Sequence, residues 1–257
     1  AFHAYAGDVS AQSIVHDEAW TYELYVASPF SRIFSFFDAN HHFLNTLLMR
    51  LSVALFGVSE WSVRMPALAA AGLYFAAVYQ IGVRMFRTAA VSVLAVALLT
   101  LNPYVLDFMV AARGYGMALA LFTHALVLLV ICAREDHRGF PRQASLLKAG
   151  TALGLAIAAN LVFAVPAVVL AAISLVLFRL GHSVPPPDVD ATPVSHKKRK
   201  GKAVAAQRKR APHPAYGYLV APLVTIAILL FIVAPYHAAS SSNFYVVTSS
   251  VAESLRG

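Results

Sequence analysis

The sequence predicts an all-α, polytopic transmembrane helical bundle with interfacial amphipathic helices in its first exterior loop. Composition is the first reason. Of 257 residues, 59% are hydrophobic and only 12% are charged, where soluble domains run near 45–50% and about 25%. The mean hydropathy is +0.67. Spacing is the second: the apolar residues come in runs close to the ~20 helical residues that cross a bilayer core. Charge is the third. A net charge of +8 on a folded surface would suggest nucleic acid, but here the basic residues fall in short stretches between apolar runs, which is the pattern of membrane topology.

Residues 1–62 read as one exterior segment holding the candidate catalytic carboxylates. The chain opens at Ala1 with a polar stretch around Gly7-Asp8 and no basic leader, so both ends are expected to be cut, with at least one span before Ala1. Between Phe43 and Leu55 the apolar residues Phe43, Leu44, Leu47, Leu48, Leu51, Ala54 and Leu55 recur at helical spacing. Asn45, Arg50 and Ser52 fall between them. That pattern predicts a helix lying in the interface. A second such helix is expected at about 17–27, with Trp20, Leu24 and Tyr25 on its apolar face. Gly57 ends the first, and Ser62 with Pro66 starts the next element.

Membrane helices then occupy 63–180. Spans are expected near 63–83, 88–107 and 114–133, with another at 217–236. The stretch 149–179 is long for one span and short for two. Arg134, Arg138, Arg142 and Lys148 precede it, and Arg179 follows, so both ends belong on the cytoplasmic side. A tight hairpin of two short spans results, with Asn160 and Pro166 as turn and breaker. Residues 181–216 are expected to be a disordered cytoplasmic linker, carrying Pro185-Pro186-Pro187 and eight Lys/Arg between Lys197 and Arg210. Without interleaved aromatics that run suits anionic lipid rather than nucleic acid. Residues 237–257 form a truncated exterior segment. Cys132 is the single cysteine; it excludes an internal disulfide and a cysteine-built zinc site, and reads as a small packing residue.

This arrangement puts 15 of the 20 basic residues on the cytoplasmic side, leaving Arg32, Arg50, Arg64, Arg113 and Arg256 opposite. Eight of the 12 acidic residues share that opposite face, so the exterior has the chemistry to offer. Three groups stand out there. His16-Asp17-Glu18 precedes an expected interfacial helix. Paired carboxylates at a helix start complement the helix dipole; the functional reading makes one a base tuned by partial burial. Arg113 sits where a loop enters a span, suited either to snorkelling or to holding phosphate. Gly114 and Gly116 would leave room beside it for a lipid chain, and Asp107 is close enough in sequence to pair with it. The third group is Asn40-His41-His42. These histidines suit hydrogen bonds to a ligand; with His16 and the carboxylates they also permit a divalent cation, although the spacing matches no tight metal motif. His124, Asn160 and His237 read as packing, turn and loop residues.

The order of features carries a resemblance. The acidic pair is followed by an amphipathic stretch ending in Leu55-Phe56-Gly57. Then Glu60-Trp61-Ser62-Val63-Arg64-Met65-Pro66-Ala67-Leu68 opens one span, and Ala112-Arg113-Gly114-Tyr115-Gly116-Met117-Ala118-Leu119 opens a later one. Over roughly its first two-thirds the chain resembles the C-type membrane glycosyltransferases related to protein O-mannosyltransferases and the aminoarabinose transferases of lipid A. The resemblance implies transfer of a hexose or pentose from a polyprenyl-phosphate sugar donor to a protein, lipid or glycan acceptor, at the exterior or periplasmic face of the plasma (inner) membrane. It maps the catalytic position onto Asp17, with Glu18 beside it, and a donor-phosphate contact onto Arg113; Tyr115 lies in the same motif. Relatives often carry a polar pair before that Arg, where this chain has Val110-Ala111-Ala112, so Asp107 is a candidate replacement. The resemblance also implies a C-terminal part beyond this chain.

The rival readings are a transporter or lipid-handling protein, and a catalytically silent relative. A transporter keeps ionisable residues at mid-membrane, whereas the expected span interiors here hold little besides His124. The orientation is testable directly. Cysteines placed at positions 17 and 200 of the full-length protein are expected to react with impermeant label from opposite sides of the membrane; labelling from one side overturns the topology.

Overall fold

The computed structural model describes residues 16–38, 40–134, 139–181 and 215–234. Every regular element among the described residues is helical. Most of the expected basic linker and the whole segment 237–257, His237 included, lie outside the described residues. The described residues open with α1 (His16–Thr21), which widens into a π turn at Tyr22–Val26, and continue through α2 (Arg32–Ser35) to α3 (Phe43–Phe56). The helix expected at 17–27 therefore exists, but the wider turn divides the face on which Trp20, Leu24 and Tyr25 were expected together. Thr21, Tyr22, Tyr25 and Val26 are buried, while Trp20 faces outward.

α3 has an inverted polarity for a surface helix. Its buried face carries Asn45, Thr46, Met49 and Ser52, and its outward face carries Leu51, Leu55 and Phe56. An apolar outer stripe and a polar inner one suit a helix that meets lipid outside and a polar site inside. Gly57 ends it at φ 77°, in the left-handed region that favours glycine. The Ser62 hydroxyl donates to the Gly57 carbonyl at 2.6 Å, tying this corner to α4 (Glu60–Met85). α4 starts two residues before the expected Ser62. Ser59 caps it: its hydroxyl accepts from the Ser62 N–H at 3.1 Å, and its own N–H reaches the Ser62 hydroxyl at 3.0 Å.

The span expected at 88–107 is broken. α5 (Ala89–Thr100) and α6 (Pro103–Val110) meet at 58°, and the sequence at the break supplies the reason. A residue before proline avoids helical backbone, and the Asn102 side chain accepts from the Tyr104 N–H at 3.0 Å, capping α6. Proline has no N–H, so the Leu99 carbonyl loses the helical partner it would have at position 103. The Tyr74 hydroxyl from α4 donates to it at 2.9 Å instead.

α7 (Gly114–Arg134) and α8 (Gly139–Ala159) run antiparallel, the end of α8 lying against Gly114. α8 begins ten residues before the expected 149, so Lys148 falls within the helix rather than ahead of it. A break follows at Asn160, whose side chain accepts from the Val162 N–H at 3.0 Å. A 3-10 turn (Leu161–Phe163) then leads into α9 (Ala164–Gly181), with Pro166 in its first turn. These helices are 21 and 18 residues long, longer than the short pair expected. α10 (Ala215–Val233) lies in a groove on α8. A methyl on Gly150 would strike the Leu219 carbonyl, and one on Gly154 would sit 2.7 Å from Ile226. Two glycines four residues apart permit this approach where packing rather than hydrophobicity drives association.

One core joins α7, α8, α9 and α10 and includes Cys132; another joins α4, α6 and α7. Outside them, α5 exposes Val93, Leu94 and Leu98, α9 exposes Val165, Val168 and Ile173, and α10 exposes Ile228, Phe231 and Ile232. Four helices are long and apolar enough to cross a membrane, and the bent α5–α6 pair makes a fifth if taken as one span. The chain is a polytopic helical membrane protein.

Replacing Tyr74 by Phe leaves the Leu99 carbonyl without this donor. A loss of about 0.5–1.5 kcal/mol is expected, read as a lower thermal midpoint of the full-length protein in detergent; an unchanged midpoint would show that this bond does not hold the break.

Candidate functional site

The site is assembled around one short turn. Ala111, Ala112 and Arg113 connect α6 to α7, with the Arg113 N–H folded back on the Ala111 carbonyl at 2.7 Å. Both polar groups of Ala112 are claimed by buried side chains from elsewhere. Its N–H donates to Glu18 Oε1 of α1 at 2.6 Å, and its carbonyl accepts from Asn45 Nδ2 of α3 at 3.1 Å. The other carboxylate oxygen of Glu18 accepts from Arg64 Nη2 of α4 at 3.1 Å, with the Glu18 side chain only 1% exposed. Arg64 also reaches Glu60 at 2.8 Å, one turn earlier on α4. Three separate parts of the chain, α1, α3 and α4, are thereby fixed to one turn.

The consequence is the placement of Asp17. With Glu18 anchored beneath the turn, the neighbouring Asp17 carboxylate accepts from Arg113 Nη2 across 96 positions of sequence. This pair is open to its surroundings, the side chains being 26% and 36% exposed. Two adjacent carboxylates thus have opposite surroundings. Glu18 is buried and fully engaged, whereas Asp17 is at the rim with a partner that can leave it.

The aromatic and imidazole groups form a second layer. His42 lies edge-on to Tyr115 with ring centres 5.0 Å apart, and Tyr115 leans on Phe108 at 5.3 Å. His41 stacks on Tyr25 at 4.1 Å. Arg50 holds the loop before it, donating to the carbonyls of Tyr25 and Ser28 at 2.8 and 2.7 Å. Burial lowers both histidines to about pH 4, with the neighbouring His42 adding to the effect on His41. Both are neutral at physiological pH. Burial, with the nearby Asp38 carboxylate second, raises the Tyr25 hydroxyl in turn.

Of the residues anticipated from sequence, the structure therefore brings Asp17 to Arg113, and His42 to Tyr115. Glu18 lies behind the first pair, and His41 packs on the loop side. Asp107 is exposed on α6, and Arg113 takes Asp17 rather than Asp107 as its partner. The room expected beside Gly114 and Gly116 is filled by protein. A methyl on Gly114 would strike the Ala159 carbonyl and come within 2.7 Å of His42, and one on Gly116 would strike the Phe108 carbonyl. These glycines admit neighbouring chain, not a lipid tail. Among the described residues no group of three His, Cys, Asp or Glu side chains is gathered for a metal; the His16 side chain lies outside them.

Arg64, Glu60 and Asn45 were not singled out from sequence. A signal existed for Arg64, since an arginine inside the opening turns of an apolar span must find a partner. Nothing in the spacing pointed to Glu18 as that partner.

A family model for dolichyl-phosphate-mannose-protein mannosyltransferase matches residues 40–184, more than half of the chain. The match includes His41, His42, Arg64, Asp107, Arg113 and Tyr115 and begins after Asp17 and Glu18. No curated protein and no solved structure matches the chain.

The histidine environment sets a pH dependence. A free histidine takes a proton near pH 6.5, while the folded protein resists until about pH 4 at His41 and His42. The unfolded chain binds more protons in that window, so stability is expected to fall as pH drops from about 6.5 towards 4. The thermal midpoint of the full-length protein should show this slope between pH 6.5 and 5, and the double substitution His41→Phe, His42→Phe should flatten it. An identical slope in both proteins would refute the assignment.

Proposed function

The chain belongs to the dolichyl-phosphate-mannose-protein mannosyltransferase family, and from that premise we propose that it moves a sugar from a polyprenyl-phosphate carrier to an acceptor hydroxyl at the exterior face of the plasma membrane. Family and apolar helices together make it a membrane glycosyltransferase. The carrier, the face and the stereochemistry are our reading. What carries that reading is the meeting of Asp17 and Arg113 at one partly open end of the bundle.

A phosphate-linked sugar already has a good leaving group. The protein must hold the phosphate and activate the acceptor. In the proposed step the Asp17 carboxylate takes the acceptor's proton while the acceptor oxygen bonds to the anomeric carbon. The bond from that carbon to the phosphate oxygen breaks, its electron pair stays with the phosphate, and Arg113 offsets the charge that develops. A single displacement inverts the anomeric centre.

The energetics of the two ion pairs suit this division. Partly exposed pairs are worth about 0–1 kcal/mol, so an incoming phosphate can draw Arg113 from Asp17 at small cost and free the carboxylate. Removing one partner of a buried pair costs roughly 3–5 kcal/mol. Glu18 and Arg64, with side chains 1% and 11% exposed, therefore stay in place during turnover. We assign Glu18 a positioning role through the Ala112 peptide. His41, His42 and Tyr115 are assigned to the substrate side of the site, and Asp107 to its rim.

Membranes holding the full-length protein are expected to transfer label from a polyprenyl-phosphate sugar. Asp17→Asn should lower transfer at least 100-fold, in line with general-base contributions of about 10²–10⁴, without loss of membrane insertion. Arg113→Ala should weaken use of the donor above all. Full activity in Asp17→Asn removes Asp17 from the chemistry, and unaltered donor dependence in Arg113→Ala removes the phosphate contact.

A further inference from the structure

Three buried polar side chains where α3 meets the end of α8 are used neither by the Asp17–Arg113 pair nor by the scaffold beneath it. They are His42, Thr46 and Asn160, each more than nine-tenths buried. His42 and Thr46 lie one turn apart on the inner face of α3, the Thr46 N–H donating to the His42 carbonyl at 2.8 Å. Gly114, the residue after Arg113, touches the His42 side chain on one side and the carbonyl of Ala159, which precedes Asn160, on the other. Among the described residues His42 Nε2, Thr46 Oγ1 and Asn160 Nδ2 meet no hydrogen-bond partner. The Asn160 oxygen is already committed to the Val162 N–H, so its amide donor is the end left over.

Buried polar atoms without partners cost stability, and three on elements that pack together call for an explanation. Their chemistry narrows it. Thr46 and Asn160 carry no charge, and burial keeps His42 neutral at physiological pH, where an imidazole offers one donor and one acceptor. Such a set suits hydroxyl groups and is unsuited to a phosphate. The Tyr115 ring, edge-on to His42, adds an apolar wall, and mixed walls of this kind are what small-molecule sites use. Arg113 is one residue away. If it holds the donor phosphate, the group bonded to that phosphate lies at the same turn.

We propose that His42, Thr46 and Asn160 form an uncharged pocket that reads the hydroxyl groups of the carrier-linked sugar. The pocket rests on the transferase reading above and adds to it a site of sugar recognition separate from the charged pair. Sugar-loaded carrier binds there better than bare carrier, and the difference comes from these side chains.

The test uses the full-length protein in lipid nanodiscs, titrated with polyprenyl phosphate, polyprenyl-phosphate mannose and polyprenyl-phosphate glucose. The wild type is expected to prefer at least one sugar-loaded lipid over the bare one. Thr46→Val removes the hydroxyl at nearly constant shape. It is expected to cut that preference about three- to tenfold, the worth of one hydrogen bond, with bare-carrier affinity unchanged and the thermal midpoint equal or higher. His42→Phe should shift the preference the same way. No preference in the wild type, or one that survives both substitutions, overturns the pocket and leaves the transferase reading standing. A large fall in the midpoint of Thr46→Val also overturns it, because the hydroxyl would then be structural. A wild type that binds none of the three lipids takes down both readings.

Discussion

The architecture of this site depends on the buried carboxylate of Glu18. One of its oxygens accepts from the Ala112 N–H and the other from Arg64, so a single side chain joins the start of α1, the opening of α4 and the α6–α7 turn. A carboxylate that is 1% exposed is costly to bury unless it is paired and hydrogen-bonded. Here both conditions hold. Asn45 completes the arrangement by taking the Ala112 carbonyl, so the turn cannot slide without leaving two buried groups unsatisfied. Asp17 and Arg113 are then brought together as a by-product of where their neighbours are held.

That division explains why two adjacent acidic residues are not interchangeable. Glu18 has the extra methylene needed to reach inward past the helix start, and it becomes part of the scaffold. Asp17, one position earlier and pointing to the rim, keeps an oxygen and a partner that solvent or substrate can reach. The polarity of α3 follows the same logic. Its inner face carries Asn45, Thr46 and Ser52 because it looks onto a polar site, while Leu51, Leu55 and Phe56 face outward to an apolar surrounding. An amphipathic helix of this hand separates a wet interior from lipid, the reverse of its task in a soluble protein.

Much of this was legible in the sequence because membrane insertion writes itself in long apolar runs. The spans at 63–83 and 114–133, the ending at Gly57 and the turn at Asn160 are all set by local chemistry, and each is found close to where it was read. The meeting of Asp17 and Arg113 came from family resemblance; no spacing rule links positions 96 apart. What was not legible shares one cause: it depends on what a residue meets across the bundle. Gly114 and Gly116 were read as space for a ligand, since a missing side chain looks the same whether a lipid or a carbonyl fills the gap. Arg64 entered only as an exterior charge and as part of the motif opening a span, because its distant partner Glu18 lies in α1. Trp20 was grouped with Leu24 and Tyr25 on one apolar face by a 3.6-residue period, and the π turn at Tyr22–Val26 divides that face, with Tyr25 buried and Trp20 exposed.

The break in the second span shows how far from the site its geometry is decided. α6 has eight residues, about 12 Å of helix. Turned by 58° at Leu101-Asn102, its far end is displaced sideways by roughly 10 Å from where a straight helix would have carried it. That distance is several times the reach of a hydrogen bond, so an unbroken helix would take Ala112 away from Glu18 and Arg113 away from Asp17. Folding α6 back also presses the Phe108 carbonyl onto Gly116, where any side chain would collide. The bend therefore needs three things that lie far apart in sequence: the proline at 103, the Tyr74 hydroxyl that takes the carbonyl it orphans, and a glycine at 116 to receive the returning helix. None of the three touches the carboxylate–guanidinium pair, yet each bears on the bend that brings the α6–α7 turn to it.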